Sequence, residues 1–291
     1  MARAAQPGIL VGVDGSEFSD AAVRWAAREA ALRHEPLKLL AVAERQGPHV
    51  TYDSETMQRS RKAQHDEGDR VLAAARQIVD EVLVDAGVDG LAGEFLFAHP
   101  LATLIDASKD VRMLVVGCRG RNALDRLTLG SVSSGLVRQA HCPVAVIHKE
   151  HAEQDAHAPI LVGIDGSPAS EAATVIAFDE ASYRRAPLIA LHAWADALTS
   201  GTHLNPTIDE QIGGEVLSER MAGWRERYPD VHVTPVLTHQ DAGRWLVNHS
   251  DTAQLVVVGS HGRGGFAGMM LGSVSATVVH AAEVPVIVAR E

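Results

Sequence analysis

Residues 9–16 read Ile-Leu-Val-Gly-Val-Asp-Gly-Ser, and residues 160–167 read Ile-Leu-Val-Gly-Ile-Asp-Gly-Ser. The same register continues without a gap to Arg45 and Asp196. In each copy a short apolar run leads into Asp-Gly-Ser and then into an Ala-rich stretch, which predicts a strand, a tight turn and a helix. A strand–turn–helix unit that returns in the same order indicates that the chain is an internal duplication.

A second pair of segments repeats later in each half. Residues 115–121 (Val-Val-Gly-Cys-Arg-Gly-Arg) match residues 257–263 (Val-Val-Gly-Ser-His-Gly-Arg), and Leu-Gly-Ser-Val-Ser stands at both 129–133 and 271–275. The halves diverge between the two conserved blocks. We predict two domains, residues 1–150 and 151–291, joined by a linker from Lys149 to Pro159.

Composition narrows the classes of function. The chain has 291 residues, 46% of them hydrophobic and only 4% aromatic, so each half can bury an aliphatic core. A net charge of -11 argues against a nucleic-acid partner. The apolar runs are far shorter than a membrane span, and no secretory signal is visible. Neither the two Cys nor the 15 His show the spacing of metal ligands. We expect a cytoplasmic protein without a membrane or nucleic-acid partner.

Apolar runs alternate with helical patterns in both halves. The predicted strands are Ile9–Val13, Leu37–Ala43, Gly93–Ala98, Met113–Val116 and Val144–His148, then Ile160–Ile164, Leu188–Ala193, Val231–Leu237, Leu255–Val258 and Val286–Ala289. The predicted helices of the first half are Ser19–Arg33, Glu55–Asp85, Leu101–Ser108 and Ser131–Gln139, with Ser16 or Ser19 as the first N-cap. This order predicts, in each half, a doubly wound α/β fold with a parallel sheet covered on both faces. Its ligand site should lie beyond the carboxyl ends of the strands.

The motif that carries chemistry is a glycine spacing after the fourth strand of each half. Gly, two residues, Gly, nine residues and Gly-Ser stand as Gly117, Gly120, Gly130 and Ser131, and again as Gly259, Gly262, Gly272 and Ser273. Glycines let backbone N–H groups approach an anion and permit positive φ, and a helix that starts at Gly-Ser presents free amides and a positive dipole end. An ordinary strand–helix turn would explain one copy, but two copies at identical spacing favour a phosphate cradle.

Other residues at the predicted strand ends have two interpretations. Asp14 and Asp165 could accept hydrogen bonds from a ribose or a base, hold a magnesium ion, or simply shape a turn. Val42 and Ala193 could flank a purine or pack in the core. Cys118 and Cys142 should stand about 15 Å apart on neighbouring strands, too far for a disulfide, and Cys118 is a candidate redox-sensitive thiol.

Both halves resemble the ATP-binding type of universal stress protein domain. The resemblance rests on the repeated Gly-x2-Gly-x9-Gly-Ser motif and on the closing Pro-Val-x-Val strand at 143–146 and 285–288, and it covers nearly the whole chain. It implies two tandem Rossmann-like domains of the adenine nucleotide alpha hydrolase-like class, with five strands each and ATP, with or without Mg²⁺, as the ligand. The residues that it assigns to the nucleotide in the first half are Gly12, Val13, Asp14, Val42, Val116, Gly117, Cys118, Arg119, Gly120, Arg121, Gly130, Ser131, Val132 and Ser133. In the second half they are Gly163, Ile164, Asp165, Ala193, Asp196, Val258, Gly259, Ser260, His261, Gly262, Arg263, Gly264, Gly265, Gly272, Ser273, Val274 and Ser275.

The two glycine loops differ between Arg121 and Arg126. Arg263-Gly264-Gly265-Phe266 in the second half stands opposite Arg121-Asn122-Ala123-Leu124 in the first, and Asp125 follows. We predict weaker or altered nucleotide binding in the first half, because its loop is stiffer and carries an acidic residue.

Three functional hypotheses remain. The resemblance implies a nucleotide-dependent regulator of stress response or growth state that acts through a protein partner and pairs through its last strands, within the chain and between chains. The alternatives are a slow ATPase or nucleotide-transferring enzyme, and a dimerisation module that has lost its ligand. No Gly-x4-Gly-Lys-Ser/Thr loop is present and neither glycine loop contains a lysine, so efficient phosphoryl transfer is not expected.

Overall fold

The computed structural model describes residues 8–44, 54–84, 90–121, 129–148, 157–194, 206–263 and 271–290. The chain forms two compact units, Met1–Lys149 and Glu150–Glu291. Each unit is an α/β domain in which strands and helices alternate along the sequence.

The first unit contains five strands and four helices in alternation. In chain order they are β1 (Ile9–Val13), α1 (Glu17–Arg33), β2 (Leu37–Ala43), α2 (Ser54–Val82), β3 (Ala92–Phe97), α3 (Pro100–Ala107), β4 (Met113–Gly117), α4 (Ser131–Gln139) and β5 (Val144–Ile147). The strand order is β3-β2-β1-β4-β5. Neighbouring strands are parallel, with Ile9 opposite Leu37 on one side and Met113 on the other. The chain order therefore reverses between β1 and β4, which creates a crevice at their carboxyl ends.

The second unit repeats this arrangement. Its elements are β6 (Ile160–Gly163), α5 (Pro168–Arg184), β7 (Leu188–Ala193), α6 (Pro206–Arg227), β8 (Val233–Thr238), α7 (Ala242–Ser250), β9 (Leu255–Gly259), α8 (Ser273–Ala281) and β10 (Val286–Ala289). The strand order is β8-β7-β6-β9-β10, and all pairs are parallel. The predicted tandem pair of five-stranded parallel sheets with helices on both faces is confirmed.

The first helix of each unit begins and ends in the same way. Ser16 caps α1 by accepting a hydrogen bond from the amide of Ser19 at 3.1 Å, and Ser167 caps α5 from the amide of Ser170 at 3.2 Å. Of the two N-caps considered for α1, Ser16 is therefore the correct one. Both helices end in a left-handed residue, His34 or Arg185. The two helices thus share a serine N-cap and a left-handed C-cap within the part of the sequence where the repeat has no gap.

The core is aliphatic, as the composition predicts. Leu10, Val115 and Val146 in the first unit and Leu161 and Val257 in the second are fully buried. Burial of both sheet faces explains why these strands are continuous apolar runs rather than alternating ones. No helix in the described part of the chain is long and apolar enough to cross a membrane.

Candidate functional site

A cavity of about 1450 Å³ opens in the first unit at the carboxyl ends of β1, β2 and β4. Its lining includes thirteen of the fourteen residues predicted in the first half: Gly12, Val13, Asp14, Val42, Val116, Gly117, Arg119, Gly120, Arg121, Gly130, Ser131, Val132 and Ser133. Chain reversal between β1 and β4 brings these distant segments together. The cavity is large enough for a nucleotide.

The helix that follows each glycine loop starts without a side-chain cap. Gly130 precedes α4 and Gly272 precedes α8, and neither position offers a side chain to the first amides. By contrast, four other helices have a side-chain N-cap that accepts a hydrogen bond from an amide of the first turn. These caps are Ser16 for α1, His99 for α3, Ser167 for α5 and Asp241 for α7. The first N–H groups of α4 and α8 are thus left for another acceptor, which is the arrangement that binds anions.

The motif glycines are required for space and not for an unusual backbone conformation. None of Gly117, Gly120 and Gly130 has a positive φ, so at these three positions glycine is not needed for the left-handed region that it permits. A Cβ on Gly117 would lie 2.7 Å from the backbone carbon and oxygen of Phe18, and one on Gly120 would lie 2.6 Å from Oδ2 of Asp14. The glycines therefore let α1 and Asp14 pack directly against the loop.

The second unit imposes the same spatial limits. A Cβ on Gly259 would lie 2.7 Å from the backbone carbon of Ala169, and one on Gly262 would lie 2.5 Å from Oδ2 of Asp165. None of Gly259, Gly262 and Gly272 has a positive φ either. The repeated glycine spacing thus reflects close packing against the loop as well as the uncapped start of the following helix.

Asp14 ties the first turn to the glycine loop. Its Oδ1 accepts the amide of Ser16 at 3.0 Å, and its Oδ2 accepts the amide of Arg121 at 3.0 Å. Asp165 does the same with Ser167 at 2.9 Å and Arg263 at 3.2 Å. Each carboxylate is thus a positioning group for its loop, and any contact with a ligand would use its remaining lone pairs.

Ser133 and Ser275 use their hydroxyl groups internally. Ser133 Oγ donates towards the carbonyl of Cys118 at 2.8 Å, and Ser275 Oγ donates to that of Ser260 at 3.1 Å. Both side chains are buried. They close the glycine loop onto the start of the helix, whereas Ser131 and Ser273, the first residues of these helices, are exposed.

Cys118 differs from the other predicted residues of the first half because it does not line the cavity. It is 3% exposed, and its Sγ lies 3.7 Å from the carbonyl oxygen of His148. Burial raises the pKa of the Cys118 thiol to about 11. Neither Cys118 nor Cys142 forms a disulfide, as predicted. A buried, protonated thiol is a poor nucleophile, which argues against the redox role.

We expect the native Cys118 thiol to react with a thiol reagent at pH 8 far more slowly than the unfolded chain does. Because the pKa of Cys118 is raised in the folded state, the folded protein holds the thiol proton more tightly than the unfolded chain does. The stability that this difference contributes is complete below the ordinary thiol pKa and is lost as pH rises towards about 11. Stability in a Cys118→Ser variant, which copies Ser260, should fall less over that alkaline range. The measurement is reagent kinetics and urea unfolding between pH 8 and 11 in a Cys142→Ser background, and equally steep stability curves would contradict it.

Sequence analysis did not identify the wall of the cavity that α2 and α3 provide. Ser60, Gln64, Glu67 and Gly68 of α2 line it, with Phe95 of β3 and His99, Leu101 and Leu104 around α3. These residues lie in the middle of the half, where the two copies diverge, so the repeat carries no signal for them. The His99-Pro100 pair at the start of α3 was the available sign of a helix start.

Some predicted positions lie outside the described residues. They are Asp196, Gly264 and Gly265, together with the loop residues 122–126 on which the predicted asymmetry rests and most of the predicted linker. The second unit brings Gly163, Ile164, Asp165, Gly259 and Gly262 to the carboxyl ends of β6 and β9. Ser260 is buried there, and its hydroxyl lies 2.9 Å from Nδ1 of His261.

The family model described as the universal stress protein family matches residues 8–148 and again residues 157–290. Universal stress protein Rv2005c of Mycobacterium tuberculosis is 49% identical over 292 residues, which cover 98% of each chain. Universal stress protein Rv2623 of the same organism is 47% identical over 295 residues, which cover 98% of this chain and 96% of the relative. The alignments thus span both halves.

A solved structure supports the same architecture. The crystal structure of a universal stress protein from Archaeoglobus fulgidus superposes with a TM-score of 0.69, at 20% identity, and covers 98% of this chain and 97% of its own. At that identity the likeness concerns the fold. It extends over both units of the chain.

Proposed function

Since this chain belongs to the universal stress protein family, we propose that each half binds ATP on its glycine loop. The observation that carries the proposal is the uncapped start of α4 and α8 beside a loop whose motif glycines have no room for side chains. The first-half cavity adds an apolar region at the end of β2, with Val42 and Leu104, beside this polar end. An apolar slot next to an anion cradle suits a purine nucleotide.

In this assignment the phosphates lie at the loop and the helix start. Backbone amides of the glycine loop and of Ser131 and Val132, or Ser273 and Val274, would donate to phosphate oxygens, and the helix dipole would stabilise the charge. Val42 and Ala193 would face the adenine. Asp14 and Asp165 would hold their loops in place, and Mg²⁺ would reduce the charge of the phosphate tail.

We propose a regulatory rather than a catalytic role. Binding would change the conformation or the partners of the protein in a stress response or growth state, without efficient turnover. A homodimer through last-strand edges, an unidentified protein partner and a cytoplasmic location are parts of the same proposal. The absence of a disulfide between Cys118 and Cys142 is compatible with a reducing compartment.

The test is to denature the purified protein, identify any released nucleotide and titrate the emptied protein with ATP by calorimetry. We expect adenine nucleotide in the extract and two ATP bound per chain at saturation, because the motif glycines and the uncapped helix start are the same in both halves. A turnover assay on the same sample should give release of inorganic phosphate no faster than a variant with both loops blocked. A protein that is empty and does not respond to ATP would overturn the proposal.

A further inference from the structure

An ion pair spans the first-half cavity from the glycine loop to α2. Arg121 Nη1 lies 2.9 Å from Glu67 Oε1, and both residues line the cavity. The side chains are 50% and 39% exposed, so water screens the pair and it adds little to stability. The Arg121 guanidinium is thus held by a carboxylate in a weak, solvent-screened ion pair.

Carboxylates are prominent in the wall of this cavity. Asp14, Glu44 and Glu67 line it with Arg119 and Arg121 as the arginines. The Asp14 carboxylate accepts two backbone amides, and Glu44 faces His99 with 3.4 Å between Oε1 and Nε2. Glu67 differs from both because one of its two cationic partners, Arg121, belongs to the glycine loop itself; the other is Arg70 of α2, with 3.1 Å between Nη2 and Oε2. An incoming anion therefore competes with Glu67 for Arg121.

The second unit is built differently at the matching place. Val71 of α2 lies 3.1 Å from the Cβ position of Gly15, whereas the matching contact on Gly166 comes from the guanidinium of Arg220 in α6. Arg220 pairs with Glu171 at 2.6 Å, and Arg263 Nε donates to the carbonyl of Asp165. In this unit the long helix brings an arginine to the Asp-Gly-Ser turn, where the first unit has an apolar side chain.

We infer that Glu67 sets the ligand preference of the first half by disfavouring long anionic tails. With the proposed nucleotide in the cavity, the phosphates meet a carboxylate and must also draw Arg121 away from it. This unfavourable electrostatic contribution to binding rises with the number of phosphates. The first half therefore prefers ligands with fewer phosphates more strongly than the second half does. This inference rests on the proposed function and names the residue responsible for selectivity in one of its two sites.

The test is calorimetry with ATP, AMP and adenosine at fixed Mg²⁺, in full-length protein whose second site is blocked by Ser273→Asp. Replacing Glu67 with Gln keeps the size of the side chain and removes one negative charge. We expect ATP to bind about tenfold more tightly, AMP to gain less and adenosine to be unchanged. The ratio of ATP to adenosine affinity is therefore the readout, and a general change in stability would not alter it.

Glu81→Gln is the matched control. Glu81 lies near the end of the same helix, is exposed, and accepts a hydrogen bond from Gln77 at 2.8 Å. It removes the same charge from the protein outside the cavity, and should leave all three affinities unchanged. If Glu67→Gln leaves the ATP-to-adenosine ratio unchanged or lowers it, Glu67 is neutral or orients Arg121 towards phosphate, and the inference fails. Absence of ATP binding in the wild-type protein would instead overturn the proposed function.

Discussion

Ser131→Asp is expected to weaken ATP binding in the first half at least a hundredfold while making the fold slightly more stable. Ser131 is the exposed first residue of α4. A carboxylate at that position lies beside the amides that we assign to phosphate, and a like charge at about 4 Å costs several kcal/mol at an effective dielectric constant near 20. The same carboxylate favours the positive end of the helix dipole, by about 0.3–1 kcal/mol. Affinity and stability should therefore change in opposite directions.

Ser131→Asn is the matched control, since asparagine has nearly the shape of aspartate without its charge. We expect the asparagine variant to lose much less affinity, and Ser131→Ala to lose little, because backbone amides make most of the cradle. Calorimetry of Ser131→Asp should find one ATP per chain, and the double variant with Ser273→Asp should find none. Equal affinities of the aspartate and asparagine variants would mean that phosphate does not lie at this helix end.

Sequence analysis predicted those parts of the site in which the local structure, such as a buried strand or a helix start, requires one type of residue. Leu114 and Val115 belong to a strand buried on both faces, so they had to form an apolar run. Gly130 and Gly272 start a helix after a fixed loop length, and that arrangement occurs twice. Duplication made these demands visible, because each half served as a test of the other.

The remaining features depend on tertiary contacts that no local pattern encodes. Glu67 reaches the cavity only because α2 packs beside β2 and β3, and Arg121 pairs with it across 54 positions of sequence. The same limit applies to Gly117, whose close contact with Phe18 the sequence did not predict. A glycine that permits positive φ and a glycine that makes room for Phe18 look identical in a sequence, and only the packing of α1 on β4 distinguishes them.

Because Gly117 makes room for Phe18, a substitution at this position should change the stability of the fold. We expect Gly117→Ala to lower the free energy of unfolding of the first unit by about 1–3 kcal/mol, because the added Cβ overpacks a rigid contact between backbone atoms. Its φ is not positive, so alanine meets no conformational barrier and the loss measures the clash alone. Gly259→Ala should have the same effect in the second unit through Ala169. Urea unfolding of the full chain measures both.

Gly223→Ala supplies a control that should change stability in the other direction. Gly223 lies within α6 and is exposed, and a Cβ built on it meets nothing within 4 Å. The same chemical change should therefore stabilise the second unit by about 0.5–1 kcal/mol through helix propensity. If Gly117→Ala proved as harmless as Gly223→Ala, then α1 would not rest on β4 as closely as the 2.7 Å contact requires. Any loss of ATP affinity in a Gly117 variant would then have to come from the loop itself. Under close packing, we expect such a loss to follow from displacement of Phe18 and, with it, of the Asp14 turn that holds Arg121.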